Sequence, residues 1–135
     1  MNSRALKRWD IDSNRRVAEL KAFALQYPEW KAALEAMTEL SAVDLDGMPR
    51  GTSVGDPVGQ MVESREVYVT KMHMVDYSIR FCSSDPSTQK AVLMAVTTPG
   101  VTYQWLKSQG LLFCGRNVYY ESVHKFFYML DRIKI

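Results

Sequence analysis

The feature that most constrains this chain is a long periodic stretch set between two Asp-Pro pairs. Met61, Arg65, Tyr68, Met72, Val75, Ile79 and Cys82 recur at alternating spacings of four and three, a heptad-like seam that a helix gathers onto one side. Asp56 offers a carboxylate to the first N–H groups, and Pro57 has no N–H to leave unsatisfied. The spacing predicts a helix over 57–82, which at a rise of about 1.5 Å per residue is near 40 Å long. A strand over Glu66–Thr70 is the rival, because Val-Tyr-Val-Thr favours sheets. It loses because the helical spacing continues on both sides. A helix of that length must bury its seam against neighbouring helices or against a second copy of itself.

The flanking segments follow the same logic. From Asp12 to Tyr27, Val17, Leu20, Phe23 or Ala24, and Tyr27 mark one helical face, with Asp12 or Ser13 as cap. Pro28 ends that run and sits comfortably in the first turn of a second helix, reaching about Leu40 with Trp30, Leu34 and Met37 on one side. The two form a helical hairpin or a kinked pair. Residues 41–58 lose all periodicity. Gly47, Gly51, Gly55 and Gly59 with Pro49 and Pro57 read as loop, and the GxxxG spacing is accidental in so polar a setting. No Gly-Lys-Ser/Thr follows, so it is no phosphate loop. After the long helix, Asp85-Pro86 starts a short apolar helix to Val96. Thr102 caps another from Tyr103 to Gln109, Gly110 supplies a left-handed exit, and a last helix begins near Gly115.

The predicted fold is all-α in four parts: a helical hairpin (1–42), a Gly/Pro loop (43–56), a long central helix (57–84) and a C-terminal helix-turn-helix unit (85–135). In the last helix Tyr119, Val123, Phe126, Leu130 and Ile133 form one apolar stripe. The other face of its first turns carries Arg116, Asn117, Tyr120, Glu121, His124 and Lys125. Arg and Asn are the residue types that read guanine and adenine edges, and Lys, Arg and Tyr hold phosphates. Were this a recognition helix in the major groove, Arg116, Asn117 and Tyr120 would face bases, with Lys107, Lys125 and His124 toward phosphates. Taken alone, the same pattern fits any terminal amphipathic helix equally well. Net charge is 17 − 15 = +2, with the excess in the last thirty-five or so residues (Lys107, Arg116, Lys125, Arg132 and Lys134 against Glu121 and Asp131). A second basic cluster lies in the first 21 residues. Two modestly basic ends are compatible with nucleic acid and do not demand it.

Two segments resemble a known family. Asp44-Leu45-Asp46-Gly47-Met48-Pro49-Arg50-Gly51 followed by Gly55-Asp56-Pro57, and the tail Cys114-Gly115-Arg116-Asn117-Val118-Tyr119-Tyr120 with Lys125-Phe126-Phe127-Tyr128-Met129-Leu130, resemble the ArpU/RinA-like transcriptional regulators of bacteriophages and prophages. The order of elements is similar too. The resemblance implies a sequence-specific regulator of late genes (packaging and lysis) that binds double-stranded DNA through a sigma-factor-like helix-turn-helix, with host RNA polymerase as a further partner. It departs from the family at Glu121-Ser122-Val123-His124-Lys125, where relatives tend to carry several arginines. The competing expectation is a non-enzymatic adaptor, binding RNA polymerase or serving phage assembly.

Other chemistry is thinly represented. His73 and His124 are far apart in sequence, and no HExxH or paired CxxC is present, so no metal and no cofactor are expected. Cys82 and Cys114 read as small apolar residues, and the methionines as core and seam filling. Asp44 and Asp46 sit in a turn-rich loop. No nucleophile, base and orienting group can be assembled, so an enzyme is not expected. The longest apolar run, Ala91 to Val96, is too short to span a bilayer. No apolar segment follows Met1-Asn2-Ser3-Arg4, and two cysteines make no disulfide framework. The expected location is the cytoplasm of a bacterial host, and a homodimer would form through the central helix.

Overall fold

Capping chemistry sets where the helices begin. A computed structural model describes residues 9–44 and 57–134, and every regular element among them is helical: α1 Asn14–Leu25, α2 Tyr27–Asp44, α3 Pro57–Cys82, α4 Pro86–Thr97, α5 Tyr103–Ser108 and α6 Arg116–Ile133. Ser13 caps α1, its Oγ accepting from the Arg16 N–H at 3.2 Å. Asp85 caps α4 by accepting from the Thr88 N–H at 3.3 Å, the Thr88 hydroxyl at 2.7 Å and the Ser87 hydroxyl at 2.8 Å. The Thr88 and Ser87 hydroxyls hold that carboxyl below its usual range. Thr102 caps α5, accepting from the Trp105 N–H at 3.2 Å. At the end of α5 the chain turns left-handed at Gly110, φ +68°. There the N–H groups of Gly110 and Leu111 donate to Lys107 and Leu106 at 3.1 and 3.0 Å, which closes off the last carbonyls of a short helix.

Helix α6 is the hub. It packs most extensively along α3 and also meets α1 and α4, while α2 rests on α3 and α1 on α4. The sequence seam is spent inside this arrangement: Val75, Ile79 and Cys82 are buried and Tyr68 and Met72 half-buried, with Arg65 in solvent. Phe126, Leu130, Val92, Leu20 and Leu106 complete a core with no solvent contact. Ser122 is buried within the α6 stripe, where its hydroxyl donates to the Val118 carbonyl at 2.8 Å, so the polar group is satisfied in place.

The structure narrows one expectation and gives another a different geometry. Helices α1 and α2 are joined by Gln26 alone, which lies in the right-handed helical region. One such residue bends a chain without returning it, since a helical hairpin needs a loop of about two to five residues. The pair is kinked, and its halves rest on different partners. Between α5 and α6 the connector occupies residues 109–115, longer than the three or four residues of a helix-turn-helix turn. The sequence readings on residues 1–8 and 45–56, the Asp-Gly-Met-Pro loop and the Asp56 cap among them, lie outside the described residues.

Candidate nucleic-acid interface

The six residues singled out by sequence fall into two groups, one at the end of α5 and the start of α6, the other farther along α6. Lys107 lies in the last turn of α5, Arg116 and Asn117 in the first turn of α6, and Tyr120 one turn later. Lys107, Arg116 and Asn117 are exposed and Tyr120 is half-buried. The first group is organised by Tyr103, at the start of α5. Its ring has the Arg116 guanidinium 5.3 Å and the Lys107 Nζ 5.8 Å from its centroid, both within cation–π reach. Tyr119 and Tyr120 stand 5.5 and 6.2 Å from the same ring. The Tyr103 ring thus holds the charged ends of two exposed cations close to one another.

Electrostatics at this end favour an anion. The first turn of α6 contains no acidic residue, and its Gly115 cap has no side chain to occupy the leading N–H groups. The positive end of the helix dipole and the Arg116 charge therefore add. Glu121, the nearest carboxylate along the helix, is 3.9 Å from Lys125 Nζ.

The second group is engaged within the chain. His124 Nδ1 lies 3.9 Å from the Asp10 carboxylate. Lys125 Nζ sits 5.2 Å over the Trp9 ring, which also packs edge-on against Tyr128 at 5.2 Å and Phe81 at 5.9 Å. The segment carrying Trp9 and Asp10 thus lies over the polar face of α6 beyond Glu121. His124 and Lys125 are not brought together with Arg116 and Asn117.

Sequence reasoning missed three features. Tyr103 had a readable signal for one of its contacts, since it precedes Lys107 by four residues on the same helix face. Trp9 stands outside any periodic segment and had none. The third is an apolar group around the same end of the molecule: Phe113 in the connector is 76% exposed, Val118 52% and Trp105 39%.

The remaining reactive groups are quiet. Cys82 is buried, donates to the Ile79 carbonyl at 2.9 Å, and burial pushes its thiol up to about 12. Burial likewise raises the Tyr119 phenol to about 12. Tyr27 also rises to about 12 through burial and its hydrogen bond to Asp76 at 3.0 Å. Among the described residues no group of three His, Cys, Asp or Glu side chains is placed to hold a metal ion, and no helix is long and apolar enough to cross a membrane. An open, mostly apolar cleft of about 270 Å³ lies between α1, the end of α4 with the loop after it, and α6; Leu25, Val96, Val101, Tyr119 and Phe127 are in its walls, and Lys21 is its one cation among the described residues.

Comparison of the chain with protein-family models, with curated proteins and with solved structures finds no match.

Proposed function

We propose that this protein is a sequence-specific regulator that binds double-stranded DNA with the leading end of α6, acting without enzymatic chemistry or a cofactor. The observation that carries the reading is the Tyr103 cluster. It holds Lys107 and Arg116 beside Asn117 and Tyr120 at an exposed helix start with no carboxylate in the turn. Helices α5 and α6 serve as the reading unit, with a connector longer than the usual turn. Arg116, Asn117 and Tyr120 face bases, and Lys107 a phosphate. His124 and Lys125 reach phosphates only by exchanging their contacts to Asp10, Glu121 and Trp9. The resemblance to ArpU/RinA-like regulators supports a phage or prophage setting, late genes as targets, host RNA polymerase as a partner and the bacterial cytoplasm as the location.

The test is a gel shift against prophage DNA fragments at two salt concentrations. A lysine that neutralises one phosphate contributes roughly one to the slope of log affinity against log salt. Lys107→Ala is expected to lower that slope by about one while leaving the helical spectrum unchanged. An unchanged slope would remove Lys107 from the interface.

A second reading, a protein–protein adaptor, is favoured by one observation. Trp105 of α5 and Phe113 of the connector that leads into Arg116 are exposed, and exposed aromatics with an arginine are typical anchors of protein interfaces. It gains ground if no DNA fragment is retained at low salt while RNA polymerase is.

A further inference from the structure

We infer that the solvent side of α3 is a self-association surface that pairs antiparallel with the same helix of a second copy. The seam recognised in the sequence is consumed in the monomer core, yet α3 carries another stripe. Val67, Thr70, Met74, Tyr77 and Phe81 follow one another at spacings of three, four, three and four. At about 100° per residue they fall within an arc of about 80°, well away from the Val75–Ile79–Cys82 face. Val67 is 50% exposed, Tyr77 51% and Phe81 38%. Thr70 is exposed and Met74 half-buried. Trp9 packs edge-on against Phe81, at the end of the stripe. Large apolar side chains repeated at heptad spacing on an exposed helix face are the pattern that two-stranded helix pairing uses.

Charge selects the partner and its direction. Glu66 and Arg80 flank the stripe on one side, at equivalent heptad positions. Both are exposed. Among the described residues neither takes part in an ion pair. A two-fold axis near His73 and Met74 sets Glu66 of each copy opposite Arg80 of the other, twice, and lays Val67 near Phe81 and Thr70 near Tyr77 across the seam. Two antiparallel copies are therefore complementary in both apolar content and charge, as a closed isologous pair requires. A parallel pairing would instead set Glu66 against Lys71, but Lys71 is half-buried and already lies 5.7 Å over the Trp30 ring, toward α2. The surface is distinct from the DNA-facing end of α6, so it stands or falls separately from the proposed function.

The experiment is sedimentation equilibrium of the full chain across a concentration series, with Glu66→Arg, Arg80→Glu and the double swap. The wild type is expected to approach twice its 15.5 kDa mass on concentration and to dissociate on dilution. Each single swap brings like charges together twice and is expected to weaken association by about tenfold or more. The double swap recreates the pair with its signs exchanged and is expected to return to within about threefold of wild type. Circular dichroism melts separate loss of association from loss of fold. A 15.5 kDa particle at every concentration overturns the inference, as do swaps that all associate alike. So does a chain that gains mass only when a host protein is added, which would give the stripe to a foreign partner.

Discussion

The two ends of α6 are built on different principles. The leading turn, Arg116 to Val118, is exposed, uncapped by any side chain and steadied by cations lying on Tyr103. The trailing end is clamped. Arg16 of α1 donates to the Asp131 carboxylate at 2.7 Å, to the Asp131 carbonyl at 3.2 Å and to the Lys134 carbonyl. Arg16 also bridges to Glu19 at 3.0 Å, and Glu19 in turn lies 3.4 Å from Lys134 Nζ. A planar guanidinium with several donors can satisfy the orphan carbonyls of a helix end and oppose the negative end of its dipole at once. Between the two ends, from Tyr119 to Asp131, every residue is buried or half-buried. A helix held this firmly at its back presents its front in a fixed direction, which is what a reading element needs.

That contrast can be broken from either end. The largest effect is expected at the middle of the helix. Phe126 has no solvent exposure, and Phe126→Ala should cost roughly 3–5 kcal/mol in urea unfolding. A loss under about 1 kcal/mol would mean that α6 is not the centre of the core. Next comes the clamp. Arg16→Ala removes charge-assisted bonds whose partners are partly in solvent, so roughly 1–2 kcal/mol of stability should go. DNA affinity measured well below the midpoint should stay as it was, and a selective loss of binding with stability intact would deny that the two ends do separate work. The smallest effect belongs to the platform. Tyr103→Leu keeps an apolar residue but removes the ring under both cations, and should weaken binding by about two- to fivefold. Its salt slope should be unchanged because no charge is lost. A slope that falls with it would mean that Tyr103 positions more of the interface than these two cations.

How much of this was written in the sequence depends on whether the signal was local. The Asp85-Pro86 start, the Thr102 cap and the Gly110 exit follow from backbone hydrogen-bond needs that neighbouring residues meet, and each lies where its sequence signal put it. The apolar stripe of α6 was legible as a period. Ser122 was not, since a polar residue is admitted there only through its bond to Val118 one turn back. The connector resisted for another reason. Leu112 is buried while Phe113 is exposed, and in a run of apolar residues without period nothing local decides which one turns inward. The Trp9 contacts to Lys125 and Tyr128 and the Arg16 clamp join residues more than a hundred positions apart in sequence; only the folded chain brings them together. Among the candidate interface residues, Arg116 and Asn117 were legible by helix position, whereas the engagement of His124 and Lys125 with Asp10 and Trp9 was not.

The leading end of α6 as the reader of DNA is tested most directly by selecting bound fragments from random-sequence DNA, once with the wild type and once with Arg116→Ala. The wild type is expected to select a defined motif. The variant is expected to show relaxed preference at a single base position, at a cost of roughly 1–3 kcal/mol in affinity for the original site. Identical motifs bound with identical affinity by both proteins, or no enrichment by the wild type at low salt, would contradict that role.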